Sequence, residues 1–427
     1  MVKKKDNISE AKLDMIDTVS KKEQYPLPDG WLWIPLVDSF ENCTDSKRKI
    51  AKKDYLEKGD IAIIDQGQVL IGGYTDDIEK EYKGTLPVII FGDHTRCIKY
   101  IDFPFAQGAD GIKVLKPKKF FLPKAFYFAF QTIPIPDMGY RRHFPLLKQY
   151  IIPVPPIWEQ QRIVEKLEKW FYKLDMIQEK IRAVIVSSEK RKAAILHKAF
   201  TGELTAKWRE RNGIKLESWK KTYVKEICYD VKVGIVIKPA QYYTSKESGI
   251  PAFRSANVRE FHINDENWVY LNQKGQNENI RSIVHTGDLL IVRSGNPGTA
   301  CVVTEKFNGY NAIDILIAVP DKQEVLSDFL CAYTNSPDCR QLIEKNKRGM
   351  ALTHFNVKEY ANLSINLPTI VEQIEIVNIV NALLRKEQQI KNKAKFVLEE
   401  IKIIRKSILM YAFCGKMEIN SSVDISD

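Results

Sequence analysis

A gapless internal repeat constrains this chain more than any other feature of its sequence. Residues 151–204 align with residues 364–417 at an offset of 213 positions, which is 364 minus 151. A match of about fifty residues with both ends preserved indicates a duplicated structural unit. The matched identities include Ile152/Ile365, Pro155/Pro368, Glu159/Glu372, Gln160/Gln373, Ile163/Ile376, Val164/Val377, Ile177/Ile390, Val184/Val397, Ile195/Ile408, Leu196/Leu409, Ala199/Ala412, Phe200/Phe413 and Gly202/Gly415.

Each copy predicts a short strand, a proline break and a long helix. The run Ile-Ile-Pro-Val-Pro at residues 151–155 cannot lie inside a helix, because proline lacks a backbone donor and biases its predecessor toward extended structure. Glu159 and Glu372 then fall in the first helical turn, where a carboxylate is favourable for the helix dipole. Gly202 and Gly415 are natural stops just past the helix ends.

Apolar residues in each copy recur at spacings of three and four, which predicts helices of about 40 residues and roughly 60 Å. Such long apolar seams favour an antiparallel coiled coil between the two helices; packing of each helix on its own domain is the alternative. The predicted seam residues are Leu167, Trp170, Leu174, Ile177, Ile181, Val184 and Ile195 in the first copy, and Val380, Leu383, Ile390, Ala394, Val397, Ile401, Ile404 and Ile408 in the second.

A globular segment of similar size precedes each helix. The first opens with Leu-Pro-Asp-Gly-Trp-Leu-Trp at residues 27–33, and the second with Leu-Glu-Ser-Trp at 216–219. The turn-then-strand pattern at 59–64 is echoed at 287–292. We therefore predict an α+β protein in which two globular mixed α/β domains are separated by two long helices, with a pseudo-two-fold repeat.

The predicted domain boundaries follow from the repeat. They are residues 1–150 for the first domain, with 1–25 as a partly disordered lead, 151–205 for the first strand-helix spacer, 206–362 for a linker and the second domain, 363–418 for the second spacer, and 419–427 for a disordered tail. The linker itself is the polar stretch 206–216.

The charge balance favours an anionic partner. The chain has 65 Lys and Arg residues against 54 Asp and Glu residues, which gives a formal net charge of +11. Nucleic acid is the commonest partner of such a surface, and a merely basic protein is the alternative.

The cysteines and the chain start indicate the compartment. Seven cysteines, an odd number without a C-x-x-C pair, favour a reduced cytoplasmic protein with scattered thiols. The start Met-Val-Lys-Lys-Lys-Asp lacks the apolar core of a signal peptide. No segment approaches the ~18–20 apolar residues of a membrane span.

In its motifs the chain resembles the specificity subunits of type I restriction–modification systems, from about residue 27 to 418. The resemblance rests on the proline-strand-helix block with Glu-Gln at the helix start, on the Ala-Phe-x-Gly helix end followed by Glu-Leu-Thr, and on Leu-Pro-Asp-Gly-Trp. The runs at 71–77, 91–96 and 108–111 resemble a recurring subtype of target-recognition domain. Departures are the second helix end, Cys-Gly-Lys-Met at 414–417, and a second domain that matches in layout more than in motifs.

The resemblance implies a non-catalytic subunit that recognises a bipartite, asymmetric site in double-stranded DNA. Two target-recognition domains would each read half of the site, and the paired helices would act as a ruler between them. Two methyltransferase subunits would dock on the helical spacers and methylate adenine, and two restriction–translocase subunits would complete the cleaving enzyme. A ruler of ~60 Å spans between one and two turns of duplex, because successive major-groove faces lie ~34 Å apart.

Candidate DNA-contacting residues are polar or basic side chains on predicted loops, which can read base edges or hold phosphates. In the first domain they are Gln66, Gln68, Tyr74, Thr75, His94, Arg96 and the cluster Tyr140, Arg141, Arg142 and His143. In the second they are Arg254, Asn257 and Arg259 after a turn around Gly249, then Arg293, Ser294 and Asn296, then Lys347 and Arg348 in a basic loop at 345–349. The alternative for each is an ordinary polar or turn-forming residue.

Catalytic motifs are absent from the sequence. We find no glycine-rich S-adenosylmethionine loop with [Asn/Asp]-Pro-Pro-[Tyr/Phe], no phosphate-binding G-x-x-x-x-G-K-[S/T], and no zinc spacing among the six histidines. Glu81-Tyr82-Lys83 fits the Glu-x-Lys of many nucleases, but such matches are common in a Glu- and Lys-rich chain. We expect no cofactor and no metal site.

Two other classes of function stay open at this point. A self-sufficient modification or cleavage enzyme would transfer methyl groups to DNA, or cut it, as the purified chain alone. A coiled-coil scaffold that binds protein would show DNA binding that ignores salt and sequence, whereas phosphate contacts weaken steeply with salt.

Overall fold

The computed structural model describes residues 25–109, 111–347 and 355–417. The chain divides into two compact units. The first unit consists of residues 1–181 and 396–427, and the second unit of residues 182–395. Each unit is described by itself below.

In its described residues, the first unit contains a strand pair, two small sheets and one short α-helix besides parts of the two long helices. Strands β1 and β9 pair antiparallel, a four-stranded sheet has the order β2-β8-β5-β6, and a three-stranded sheet has the order β4-β3-β7. Helix α1, Pro123–Phe130, packs on β5, β6 and β8. The strands are β1 Leu32–Pro35, β2 Phe40–Asn42, β3 Ile61–Ile64, β4 Gly73–Thr75, β5 Val88–Gly92, β6 Ile98–Ile101, β7 Phe105–Gln107, β8 Ile112–Pro117 and β9 Ile151–Val154.

The second unit repeats this plan with its own sheets. Strands β10 and β21 pair antiparallel, and two four-stranded sheets have the orders β11-β20-β17-β18 and β12-β16-β13-β19. Strands β14 and β15 form a hairpin. The strands are β10 Lys220–Tyr223, β11 Cys228–Val233, β12 Tyr243–Thr244, β13 Ile250–Phe253, β14 Val258–Arg259, β15 His262–Ile263, β16 Val269–Leu271, β17 Leu289–Val292, β18 Ala300–Val302, β19 Asn311–Ala312, β20 Ile315–Pro320 and β21 Ser364–Leu367.

Two helices of 44 residues, α2 Ile157–Phe200 and α8 Ile370–Phe413, contribute to both units. They begin and end at positions that the repeat aligns, and so do β9 and β21, which precede them. The predicted strand-break-helix order and the α+β class are therefore confirmed. The remaining helices are α3 Ala206–Arg211, α4 Gln273–Glu278, α5 Ser327–Thr334, α6 Pro337–Lys347 and α7 Val357–Ala361.

The glutamine in the first turn of each long helix fixes where that helix begins. Gln160 donates from Nε2 to the carbonyls of Pro155 at 2.7 Å and Phe120 at 2.9 Å, and its Oε1 accepts from the Leu122 amide at 2.7 Å. Every polar atom of this buried amide thus has a partner in the domain that precedes the helix. The bonds tie the helix start to the loop before α1.

Gln373 makes the same three bonds in the second unit. Its Nε2 donates to the carbonyls of Pro368 at 3.0 Å and Glu324 at 2.9 Å, and its Oε1 accepts from the Leu326 amide at 2.9 Å. The duplicated Glu-Gln sequence therefore encodes one joint, used twice, between a sheet-containing domain and the start of a long helix.

The neighbouring glutamates contact a tryptophan each and differ in their other partners. Trp31 donates to Glu159 and Trp219 to Glu372, both from the indole nitrogen at 2.8 Å. Glu372 is fully buried and also accepts from Arg209 at 2.7 Å and Thr205 at 2.8 Å. Besides their favourable interaction with the helix dipole, these carboxylates therefore hold in place the segment that leads into each domain.

The two long helices contact each other within each unit, and they run antiparallel. In the first unit Arg405 forms an ion pair with Asp175 and stacks 4.9 Å from the Phe171 ring. In the second unit Arg191 pairs with Glu387 at 2.8 Å. Within the second unit, Glu189 pairs with Lys391 and Arg191 pairs with Glu387, so the residue numbers rise on α2 as they fall on α8, and the helices are antiparallel, as predicted.

The predicted contact line between these helices is wrong at four positions. Ile177, Ile390, Val397 and Ile404 are between 37% and 46% exposed. Ala394 and Ile401 are buried as predicted. Ser188, which is not among the predicted seam residues, is also buried and donates to Glu387 at 3.0 Å. A helix carries several parallel stripes with the same three-and-four spacing, so spacing alone does not identify the stripe that faces the partner.

Three smaller expectations need correction or fall outside the described residues. The predicted polar linker contains the short helix α3, whose Arg209 is buried. The predicted basic loop at 345–349 begins inside α6, which extends to residue 347. Residues 1–24 of the predicted lead, and the predicted tail at 419–427, lie outside the described residues, and the domain boundaries stay a prediction.

We expect the replacement Glu372→Gln to lower the free energy of unfolding by about 3–5 kcal/mol, because it leaves the buried Arg209 without its counter-charge. The matched control is Glu159→Gln at the equivalent position. Glu159 accepts from Trp31 and has no ion pair among the described residues, so about 1 kcal/mol is expected. Urea unfolding followed by circular dichroism measures both, and equal losses would contradict the asymmetry.

Candidate nucleic-acid interface

Three loops of the first unit join into one surface, which we call the first loop cluster: residues 65–70, 93–96 and 135–143. The first loop follows β3, and its Gln66 accepts at Oε1 from the His94 amide at 3.1 Å. The hydroxyl of Thr95 donates to the Gln66 carbonyl at 2.6 Å. The predicted residue Gln66 therefore bridges two loops, whereas the nearby Gln68 is exposed.

His143 anchors the third loop and is fully buried. Its Nε2 accepts from the Met138 amide at 3.3 Å, so Nδ1 carries the proton and donates to the Asp93 carbonyl at 2.9 Å. Both ring nitrogens are thereby satisfied inside the protein. The expectation that His143 contacts DNA is not supported by this placement, because its ring supports the loop from within.

The Arg96 side chain also forms hydrogen bonds between two of these loops. Its backbone has φ of 58°, a left-handed conformation that is uncommon for a side chain of this size. The guanidinium donates to the Ile135 carbonyl at 3.1 Å and to Asp137 at 2.6 Å. Arg96 therefore holds the third loop against the second.

The third loop also carries three exposed side chains, those of Tyr140, Arg141 and Arg142. Tyr140 is 85% exposed, and its ring stacks on that of His94 with centroids 4.5 Å apart and planes 9° from parallel. Arg141 and Arg142 are exposed, and neither guanidinium has a hydrogen bond or ion pair among the described residues. The first loop cluster thus presents two exposed arginines without a counter-charge in the described part of the chain, on a loop that His143 and Arg96 hold in place.

An open cavity of about 770 Å³ is lined by Gln68 and Arg96 of the first loop cluster and by Lys99, among other residues. Lys99 is buried and donates to the carbonyls of Asp65 at 2.7 Å and Val69 at 2.6 Å. Burial lowers the pKa of Lys99 below its ordinary value, while nearby Cys97 and Asp65 raise it. The Lys99 ammonium thereby joins the two ends of the loop at residues 65–70.

The two remaining candidates in this unit lie on strand β4. Tyr74 is half-buried, and Thr75 is buried with its hydroxyl accepting from the Asp77 amide at 3.2 Å. The Thr75 side chain therefore shapes the turn after β4.

The second unit places Arg254, Asn257 and Arg259 around the hairpin β14–β15. Asn257 is fully buried; it accepts from the Arg254 amide at 3.0 Å and donates to the carbonyls of Asn264 at 3.1 Å and Glu266 at 2.9 Å. With its side-chain amide fully used, Asn257 shapes the loop from inside. The turn predicted around Gly249 lies at residues 246–248, just before strand β13. Arg254 directly follows that strand.

The two arginines of this group differ in exposure. Arg254 is half-buried and donates to the Asn267 carbonyl at 2.9 Å. Arg259 is exposed, and its Nη1 donates to the carbonyls of Val258 at 2.9 Å and Ser255 at 3.2 Å. Of this group Arg259 is the side chain that can reach an external partner.

The loop after β17 is held by its own arginine. Arg293 is largely buried, pairs with Asp314 at 2.5 Å and donates to the Phe355 carbonyl at 3.1 Å. Beyond it, Asn296 is exposed and accepts from Arg340 at 2.9 Å, while Ser294 is half-buried. Arg293 therefore positions the loop that carries Asn296.

The last two candidates lie at the edge of the described chain. Lys347 is the final residue of α6, and Arg348 lies outside the described residues. Sequence reasoning missed Arg340, which contacts a predicted loop from the same helix. No loop or turn signal could have identified it, because the residue lies in an ordinary helical stretch.

The described ranges hold no cluster of three or more His, Cys, Asp or Glu side chains placed to bind a metal ion. In the nuclease-like triplet, Lys83 pairs with Glu81 at 2.9 Å. Within the same ranges, none of the helices has an apolar stretch sufficient to cross a bilayer.

Comparison with known proteins gives consistent matches. Residues 28–186 match the family model for the type I restriction modification DNA specificity domain. The chain is 26% identical over 274 residues to the EcoKI specificity subunit of Escherichia coli K12, which covers 62% of this chain and 57% of that relative. It is 24% identical over 288 residues to the EcoBI specificity subunit of Escherichia coli, which covers 64% and 59%. The aligned region thus spans less than two thirds of the length of these curated relatives.

A solved chain of a type I restriction–modification system, studied for its complex assembly and conformational transition, shares the fold with a TM-score of 0.65. That likeness covers 92% of this chain and all of the other at 18% identity. The matched domain, the duplicated strand-helix units and the curated relatives agree with one another. Residues 28–186 therefore match a type I restriction modification DNA specificity domain, and the chain as a whole is similar to the specificity subunits of type I restriction enzymes.

Proposed function

We propose that this protein is the non-catalytic subunit that selects the DNA sequence for a type I restriction–modification enzyme. Each unit would read one half of a bipartite, asymmetric site in double-stranded DNA. Partner methyltransferase subunits would then methylate adenines, and partner restriction subunits would cleave. The place of action would be the cytoplasm, where chromosomal DNA is accessible and cysteine thiols stay reduced.

The first loop cluster carries this proposal. Arg141 and Arg142 are exposed without a partner among the described residues, and Tyr140 stands beside them on the same loop. The loop is held by His143 and Arg96, so its charged side chains start from a defined position. Charge on a fixed loop is what phosphate contact and base readout require.

The second unit offers a different surface. Arg259 and Asn296 are its exposed candidates, on the hairpin β14–β15 and on the loop after β17. Because these side chains differ in type and placement from those of the first loop cluster, the two units would read unlike sequences. An asymmetric site with two specified halves follows from two unlike readers.

The paired helices would set the gap between the halves. Helices of 44 residues extend about 66 Å at 1.5 Å per residue, longer than the ~34 Å between successive major-groove faces. Ion pairs between the helices in each unit oppose sliding of one helix along the other. A fixed length of this order suits the distance between two half-sites.

The helices also expose apolar side chains that suit protein partners. Phe396 is 65% exposed and Ile403 is 58% exposed, and a spacing of seven places both on one face of α8. Tyr172, at 67%, and Met176 are exposed on α2. Apolar groups of this size on a helical spacer favour a docked subunit over solvent, and we propose two methyltransferase subunits there and two restriction–translocase subunits in the complete enzyme.

The double replacement Arg141→Ala and Arg142→Ala should weaken binding of target DNA by about tenfold or more at 0.1 M salt, because two phosphate-directed charges are lost. The slope of log affinity against log salt should also become shallower by about two. Fluorescence anisotropy with a labelled duplex measures both quantities.

The matched control for that variant is Lys169→Ala with Lys173→Ala, which removes two exposed charges from α2 instead. It should leave affinity and salt slope near their original values. Equal effects of the two double variants would mean that net charge alone governs binding and that the first loop cluster has no special role.

Selection of duplexes from a random-sequence library with the purified full chain tests the function itself. We expect enrichment of one motif with two short specified halves, separated by a gap of fixed length and free sequence. Binding without an enriched motif would refute sequence recognition. Methyl transfer to DNA by the chain alone would refute the non-catalytic assignment.

The double replacement Phe396→Ser and Ile403→Ser should weaken co-purification with the methyltransferase subunit by about tenfold while DNA binding persists, because the lost side chains belong to an exposed apolar face. The control is Lys393→Ser, an exposed polar position on the same helix. Undiminished co-purification of the apolar variant would place the partner elsewhere.

A further inference from the structure

Glu260 lies in the turn of the hairpin β14–β15 and joins two helices of the second unit. Its carboxylate forms an ion pair with Lys192 on α2. The other carboxylate oxygen accepts from Arg340 on α6 at 2.9 Å. One side chain therefore links a predicted DNA-facing hairpin to the long helix and to a helix of the recognition domain.

Arg340 extends this link to the second predicted DNA-facing loop. Its Nη1 donates to the Asn296 side chain at 2.9 Å, and its Nη2 contacts the Thr299 hydroxyl at 3.4 Å. The path Lys192–Glu260–Arg340–Asn296 is thus continuous within the second unit. It connects the hairpin that carries Arg259, the loop that carries Asn296, and α2.

The backbone at this turn is held in a conformation that needs support. Phe261 has φ of 65°, which is strained for an aromatic residue. Its amide donates to the Ala300 carbonyl at 3.0 Å, and the Lys192 ammonium lies 5.6 Å from its ring centroid. Lys192 therefore contacts the turn both through Glu260 and through Phe261.

Partial burial makes these ion pairs more effective than ordinary surface pairs. The side chains of Lys192, Glu260 and Arg340 are 27%, 33% and 23% exposed. Solvent screens such groups less than fully exposed charges, and each arm of Glu260 restrains a different element. A small shift of the hairpin against α2 would break the ion pair of Glu260 with Lys192, which we call its Lys192 arm. A shift of the Asn296 loop would break the ion pair with Arg340, which we call its Arg340 arm.

We infer that Glu260 is a positioning residue that sets the second recognition surface relative to the helical ruler. Its Lys192 arm fixes the hairpin on α2, and its Arg340 arm fixes the side chain of Asn296. The first arm would govern which gap length is accepted, and the second would govern base preference in one half of the target. The inference rests on the proposed function.

Two single replacements separate the arms. Lys192→Met should reduce the preference for the selected gap, over a gap one base pair longer, by about tenfold, because a charge-assisted contact to α2 is lost. Base preference in both halves should persist. Arg340→Met should reduce base preference in one half by about tenfold and leave gap preference intact.

The probes are duplexes with the motif enriched by the full-length chain, the same motif with one base pair added to the gap, and single-base changes in each half. The control is Lys274→Met, because Lys274 is an exposed residue of α4 that pairs with Glu278. This replacement should change neither preference. Glu260→Gln should weaken both preferences. Melting temperatures of all variants report folding separately.

The outcomes distinguish the two levels of the proposal. A wild-type chain without sequence or gap preference overturns the proposed function, and this inference with it. A wild-type chain with both preferences, and variants that keep them or lose affinity equally on every duplex, overturns the positioning role of Glu260 alone.

Discussion

Two buried glutamine side chains determine how this protein joins its recognition domains to its helices. Gln160 and Gln373 each use all of their amide hydrogen-bonding atoms to bind a helix start to the domain before it. An unsatisfied buried amide is costly, so each set of bonds forms completely or the joint opens. The direction of each long helix relative to its own sheets depends on this joint.

The pairing of α2 with α8 adds specificity through charge. Arg405 contacts Asp175 in the first unit, and Arg191 contacts Glu387 in the second. The side chains of these pairs are between 14% and 62% exposed, so the pairs are not fully buried between the helices. Charged pairs between neighbouring helices help to set register and orientation, because a shifted arrangement leaves them unpaired.

More of the fold than of the candidate site could be predicted from the sequence. The duplication revealed both helices and their strands, because a repeated sequence must form a repeated unit. The contact line was misassigned at Ile177 and Ile404, since adjacent stripes share one spacing. His143 and Asn257 have the polarity of DNA-contacting residues but are buried, and residue type does not reveal burial. Tyr140, Arg141 and Arg142 are exposed, as contact with DNA would require, and that contact stays a prediction.

The interhelical ion pairs have a consequence for how the length of the two long helices could change in evolution. A deletion or insertion of one or two residues in a single helix would rotate every later side chain by about 100° per residue and separate Arg191 from Glu387. Changes that preserve the charge pattern add or remove whole heptads in both helices together. Under the proposed function, new spacings between the two half-sites would arise in steps of about 10 Å, the length of one heptad.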